Sequence, residues 1–235
     1  MDSYKTLREE AWEANLEISR HNLAIYTWGN VSAFDRERGV FAIKPSGVPY
    51  DELTPESMVV VDMQGAVASG SLRPSSDTET HRILYRDFSG IGGVTHTHST
   101  YAAAWAQARR PVPVFGTTHA DHGAECIPCT ALMDAEATRN NYELETGSLI
   151  VRTFREQKRD PVYMQMVLVA GHGPFTWGKN ASGAVYHAAV LEEICKMALL
   201  TLTLNPHAEP LPEHIIRKHW ERKHGANAYY GQKQG

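Results

Sequence analysis

The chain has 235 residues, 42% of them apolar and 21% charged, with a formal net charge of −4. That balance is ordinary for a soluble globular protein; it argues against nucleic-acid binding, and an anionic ligand would have to be met by local groups. The N-terminal segment MDSYKTLREEAWEANLEI has no apolar signal core, the longest apolar stretch (194–204) is broken by Cys195, Lys196, Thr201 and Thr203, and three cysteines are too few for a disulfide scaffold, so a cytoplasmic protein with no membrane span is expected.

In chain order, residues 3–22 read as a helix with Leu7, Trp12, Leu16 and Ile18 on its apolar side. A loop carries Thr27-Trp28-Gly29-Asn30. Val40 to Lys44 reads as a strand ended by Pro45-Ser46-Gly47, and 58–62 with 66–68 as a hairpin around Gln64-Gly65. Ser76 and Glu79 have the spacing of a capping box for a helix running to about Phe88. Gly92 to His98 reads as a strand, 101–108 as a helix, 111–118 as extended and 145–157 as helical. A short strand, 167–170, ends at Gly171-His172-Gly173, and helices follow over 180–204 and 212–223. Strands and helices intermix without repeat or linker. One α/β domain over 1–235 is expected, and the hairpin argues for antiparallel pairing.

Twelve histidines are many for this length. His96 and His98 are two apart on a strand, so their rings share a face and suit one metal ion. His172, where a strand runs into glycines, is a third candidate, and three protein ligands leave the open position of a catalytic site. Spacing alone serves three unrelated histidines equally well. His119, His122, Cys126 and Cys129 form a competing constellation, but Pro128 and the short spacing make a four-ligand wrap awkward; Cys126 and Cys129 read instead as partly buried thiols.

Ser75 and Ser76 at a helix start, and Lys44-Pro45-Ser46-Gly47, are candidate anion sites, although a cap and a turn explain each alone. Asp77, Asp121 and Glu143 are carboxylates near these motifs; Asp77 also suits the helix dipole. The tail gathers His219, Arg222, Lys223, His224, Tyr229 and Tyr230, proton-transfer and anion-binding types that suggest packing against another surface.

These motifs together resemble the class II aldolase/epimerase family almost end to end. The resemblance rests on TWGNVSAFDRERGVFAIKPSG (27–47), RPSSDTETHRILY (73–85), GGVTHTHS (92–99), FGTTHAD (115–121), IPCT (127–130), AGHGPFTWGKN (170–180), LEE (191–193) and RKHGANAYYGQ (222–232). It implies a three-layer α/β/α fold around a mainly antiparallel sheet, and a homotetramer with active sites at subunit interfaces. It implies zinc on His96, His98 and His172, with Asp77 near or on the metal. Substrate phosphate and hydroxyls would meet Gly29, Asn30, Lys44, Ser46, Gly47, Ser75 and Ser76, with Thr117 and His219 orienting the phosphate end and Glu143 a further contact. Asp121 and Tyr230 would be the two acid/base groups. The sequence departs from the family pattern at His122-Gly123-Ala124 and at the extension Lys233-Gln234-Gly235.

The activity implied is zinc-dependent inversion at C4 of a phosphorylated pentulose, L-ribulose 5-phosphate giving D-xylulose 5-phosphate, in pentose catabolism. C4 carries no acidic proton, so the C3–C4 bond must break and re-form on the other face of the aldehyde. Family aldolases tend to carry glutamate at the position of Asp77, which favours the epimerases here. A binding module that kept the fold would be expected to have lost some of these groups.

Overall fold

A computed structural model describes residues 3–225 and 228. Its centre is a seven-stranded sheet in the order β4-β3-β2-β1-β5-β7-β6. The strands are β1 (Asn30–Asp35), β2 (Val40–Ile43), β3 (Val59–Asp62), β4 (Val67–Ser69), β5 (Gly93–His96), β6 (Met166–Val169) and β7 (Gly173–Gly178). Every strand pair is antiparallel. The helices are α1 (Lys5–Arg20), α2 (Thr78–Asp87), α3 (Thr100–Gln107), α4 (Thr117–Ala120), α5 (Ala135–Asn140), α6 (Tyr142–Glu156), α7 (Ala181–Leu204) and α8 (Glu213–His224). None among the described residues is long and apolar enough to cross a membrane.

The two-residue period of the strands sorts the core into two layers. Val31, Ala33, Ala42 and Val60 face α1 and the first half of α7, while Phe41, Ile43, Val59 and Val61 face α2 and α6. Helices therefore cover both faces, the expected α/β/α arrangement. Helix α1 buries Leu7, Ala11, Ala14 and Ile18 at helical spacing. Its buried Asn15 accepts from Val31 N–H and donates to Val31 O, both at 2.9 Å, and so clamps the start of β1. Gly93 admits α7: a Cβ there would lie 2.4 Å from Ala181 Cα.

Several expectations need correction. β1 and β7 are strands that the sequence pattern does not announce. β1 alternates Asn30 and Ser32 with apolar residues, but its polar side is buried against α2, and β7 is buried on both faces and carries Pro174 inside the sheet, where proline is unusual. The capping box at Ser76 does not form. The N-cap position is Asp77, its side chain makes no cap bond, and Glu79 pairs with Arg82 instead. The strand before His98 stops at His96, and the segment expected to be extended to Thr118 turns into α4 at Thr117.

Candidate active site

His96 closes β5, His98 follows it, and His172 sits in the turn between β6 and β7, the strand paired with β5. The turn thus carries a residue distant in sequence to the end of β5. One ligand atom from each of the three histidines lies within 4.8 Å of the others. The ring centroids are 4.7–5.2 Å apart. His96 Nδ1 lies 2.9 Å from Pro174 O, an acceptor, so Nδ1 carries the ring hydrogen and Nε2 is bare in the neutral ring. That Nε2 faces His98 Nε2 at 3.1 Å. Phe175 stacks on His96 at 4.2 Å and fixes its plane. Burial, reinforced by His96, pushes the pKa of His98 down and that of His172 down to about 3, so these rings are uncharged donors at neutral pH.

Asp77 stands beside this cluster. Asn30 donates to its Oδ2 at 2.7 Å. Burial pulls the carboxyl up, but His96, His81 and the Asn30 hydrogen bond outweigh it and hold Asp77 below the usual carboxylate range. Asn30 Oδ1 is buried and has no hydrogen-bond partner among the described residues.

A cleft of about 530 Å³ opens from the histidines and is lined by Gly29, Asn30, Lys44, Ser46, Gly47, Ser75, Ser76 and Asp77 with His96 and His98. The structure thus brings together every sequence-predicted residue of this first group. Lys44 is 2% exposed, and its ammonium meets the carbonyls of Thr27 and Pro45 at 3.4 Å and the Tyr50 ring at 4.9 Å. Burial pushes its pKa down to about 8. The loops carrying Ser46 and Ser75 are tied together, Ser46 N–H donating to Arg73 O and Ser75 N–H to Lys44 O. The Ser75 amide expected to be free for an anion is therefore already used. Gly29 packs against the metal-side strand: its φ is +77°, and a Cβ would lie 2.8 Å from His96 O.

The second group lies elsewhere in the chain. Asp121 caps α4 and accepts from His219 and Arg222 of α8, at 3.0 and 2.9 Å, with Lys223 at 3.9 Å. Burial raises its pKa, but these partners outweigh burial and keep it low. It lines a different cleft, of about 560 Å³, with His122, Tyr186 and Trp220. Thr117 begins α4 and is exposed. Glu143 lies in the first turn of α6, and its carbonyl accepts from Thr80. Tyr230 lies outside the described residues. Among those described, one chain does not line a single cleft with the histidines and Asp121.

The competing His/Cys constellation is otherwise engaged. His119 Nε2 meets Glu125 O, His122 bridges Thr118 O and the Tyr186 hydroxyl, and Cys126 accepts from Arg159. Both thiols are free and partly buried, as expected. Three residues near the site escape sequence reasoning. Tyr142 brings its hydroxyl to 3.3 Å from His172 Nδ1, and Tyr50 donates to Trp28 O and Gly29 O, holding the loop over the cleft. His81 is buried one turn beyond Asp77 on α2; its i, i+4 spacing from a candidate carboxylate was the available signal.

Comparison with known proteins agrees with this architecture. The profile of the class II aldolase and adducin N-terminal domain family matches residues 9–199. The chain is 49% identical over 227 residues, 97% of its length and 99% of the relative's, to "L-ribulose-5-phosphate 4-epimerase UlaF" of Salmonella paratyphi C (strain RKS4594). Among solved structures, an L-fuculose 1-phosphate aldolase matches with a TM-score of 0.78 at 24% identity, covering 92% of this chain and 95% of that one. The corresponding aldolase of Thermus thermophilus matches at 0.65 and 21%, covering 87% and 98%. These structural likenesses concern the fold.

Proposed function

This chain is a member of the class II aldolase family, and we propose that it is a zinc-dependent L-ribulose-5-phosphate 4-epimerase. It converts L-ribulose 5-phosphate to D-xylulose 5-phosphate by breaking and remaking the C3–C4 bond. The observation that carries this reading is the adjacency, in one cleft, of converging imidazoles and a buried cation. The imidazoles suit a bond cleavage that develops negative charge, and the cation suits a phosphate ester. The name of the relative with 49% identity supports the choice of reaction.

The donor set fits the metal. His96, with Nδ1 committed to Pro174 O, keeps Nε2 bare, and His98 and His172 are neutral. Three imidazole nitrogens with a carboxylate alongside match a catalytic zinc site. His96, His98 and His172 would hold the ion, with Asp77 on or beside it. Bound zinc supplies a Lewis acid for the charge that appears as the C3–C4 bond breaks.

The remaining steps belong to the protein. One acid/base group removes the C4 hydroxyl proton, and cleavage gives the enediolate of dihydroxyacetone and glycolaldehyde phosphate. Lys44, Ser46, Gly47, Ser75 and Ser76 grip the phosphate while the aldehyde turns, and Gly29 and Asn30 border the reacting carbons. Re-addition to the other face requires a second proton donor on the opposite side, so Asp121 and Tyr230 serve one face each. Asp121, Thr117 and His219 reach the cleft from a neighbouring subunit of a homotetramer, which accounts for the separate cleft of Asp121 within one chain; Glu143 is a weaker contact. The domain spans 1–235 and works in the cytoplasm.

Incubation with L-ribulose 5-phosphate tests the reading. Appearance of D-xylulose 5-phosphate supports it. Accumulation of glycolaldehyde phosphate and dihydroxyacetone identifies an aldolase instead, and no reaction of the zinc-loaded protein with several pentulose phosphates overturns both.

A further inference from the structure

The LEE motif (191–193) takes no part in the chemistry above. Its middle residue, Glu192 on α7, reaches across to α3, the helix that begins two residues after His98. Glu192 Oε1 accepts from the Tyr101 amide and Oε2 from the Ala102 amide, both at 2.9 Å. These amides belong to the first turn, where the helix itself offers no acceptor. Ser99, at the N-cap position that ordinarily serves them, makes no cap bond with its side chain. Its hydroxyl accepts from the Thr97 hydroxyl at 3.2 Å instead. Nor does α3 carry an acidic residue in its first turn to meet the positive end of its dipole. A carboxylate from another helix therefore stands in for the cap.

The three clustered histidines differ in how they are held. His96 is held through its ring, by Pro174 O at Nδ1 and by the Phe175 stack. His172 has the Tyr142 hydroxyl at 3.3 Å. Among the described residues, the His98 ring has no hydrogen-bond partner outside the cluster; its nitrogen contact is His96 Nε2. His98 is exposed, whereas its chain neighbours Thr97 and Ser99 are buried. A ring without an outer partner is aimed by its Cα–Cβ bond, and the backbone sets that direction. β5 has ended at His96, so no strand ladder fixes His98. Beyond it the backbone is fixed by α3, and the start of α3 is fixed by Glu192. A second tie lies one turn further along α3, where the Trp105 indole donates to Cys195 O at 3.0 Å. That tie registers α3 against α7 but leaves the first turn untouched.

We propose that Glu192 is a positioning residue for His98: by clamping the Tyr101 and Ala102 amides it fixes the start of α3, and so holds the His98 imidazole where it can meet a metal ion together with His96 and His172. This role rests on the reading of the three histidines as zinc ligands. It gives His98, through the main chain, the support that ligating histidines otherwise receive at the ring. By reciprocity, a clamp that favours zinc is itself favoured by zinc.

Amide hydrogen exchange, zinc retention against a chelator and the absorption spectrum of the cobalt-loaded protein test this. In the unaltered protein, zinc should slow exchange at Tyr101 and Ala102 by roughly 10-fold, the low end for outer partners of a metal ligand. Unchanged rates at both amides overturn the proposal, with no variant needed. Glu192→Gln leaves one acceptor and sets an NH2 group against the other amide. It should speed exchange at one of the two amides of the zinc-free protein by roughly 10- to 150-fold. It should also weaken zinc retention by roughly 10-fold and alter the cobalt spectrum. Parent-like retention and spectrum in this variant overturn the proposal. Trp105→Phe removes the other tie, and should lower thermal stability without changing zinc retention or the cobalt spectrum. Equal losses of zinc in the two variants reduce Glu192 to a fold contact and overturn its role. Should His98→Asn retain zinc in full, the reading of His98 as a ligand fails; if His98→Asn loses zinc while Glu192→Gln does not, the role of Glu192 alone fails.

Discussion

Lys44→Met should make the protein more stable and a poorer enzyme. At 2% exposure, the folded chain carries an ammonium whose pKa falls from 10.5 to about 8 through burial. At ~1.4 kcal/mol per pH unit, that fall corresponds to ~3 kcal/mol held against the fold at neutral pH, where the group is charged in both states. Because the ammonium borders an open cleft, solvent screens part of this. The Tyr50 ring at 4.9 Å returns ~1 kcal/mol. Methionine keeps the length without the charge, so a net gain of about 1–2 kcal/mol is expected, raising Tm by about 2–8 °C. The pH dependence fixes the sign. Between about 8 and 10.5 the unfolded chain holds a proton that the folded chain has lost, so parent stability rises with pH across that window. The penalty is full below it and absent above it, so the gap between variant and parent should close from pH 8 to pH 10.5. In the same variant the phosphate loses a charge-assisted bond of ~1.5–3 kcal/mol, and kcat/KM should fall by roughly 10- to 150-fold. Thermal unfolding at pH 7 and pH 10, with steady-state kinetics on L-ribulose 5-phosphate, measures both. A variant less stable than its parent at pH 7, or with unchanged kcat/KM, refutes the reasoning.

Gly29→Ala forces a Cβ to 2.8 Å from His96 O at a φ of +77°; a loss of ~1–3 kcal/mol and reduced metal retention should appear in thermal melts and metal analysis, and a parent-like protein would exclude the close approach. His98→Asn should leave the fold intact while about one zinc per chain is lost together with turnover, measured by elemental analysis; retained metal would show that His98 is not a ligand. Asp121→Asn and Tyr230→Phe should each lower turnover by roughly 10²–10⁴-fold with metal content unchanged. Co-expressing Asp121→Asn with His98→Asn should recover activity through mixed assemblies, whereas inactivity of demonstrated mixed assemblies would argue for a site completed within one chain.

How much of this was legible in the sequence depends on how local each signal is. Helices α1 and α7 carry long apolar stripes or clear caps, and the β3–β4 turn is marked by Gln64-Gly65, so these elements are readable within a window of a dozen residues. β1 and β7 are not, because their character comes from neighbours on both sides of the sheet. The same distinction divides the site. His96 and His98 are near in sequence, but their rings converge by a different route from the expected shared strand face: β5 ends at His96, and the chain beyond it turns His98 back. His172 joins them through the pairing of β5 with β7, a contact that no spacing encodes: its place before glycines made it a candidate, and the family resemblance tied it to the pair.

The polar face of β1 shows why the rest stayed hidden. Asn30 and Ser32 alternate on one side of the strand, which in an amphipathic reading would face solvent. In the fold that side is buried against α2, and the two side chains meet Asp77 and His81 one helical turn apart. A two-residue repeat on the strand thus matches a four-residue repeat on the helix, and each polar residue has a partner on the other element. Read singly, Asn30 and Ser32 look like loop residues and His81 like one histidine among twelve. Read across the contact, they are consecutive rungs leading from the sheet to the carboxylate beside the histidine cluster. Such cross-element registers require a search for matched periods between segments rather than within them.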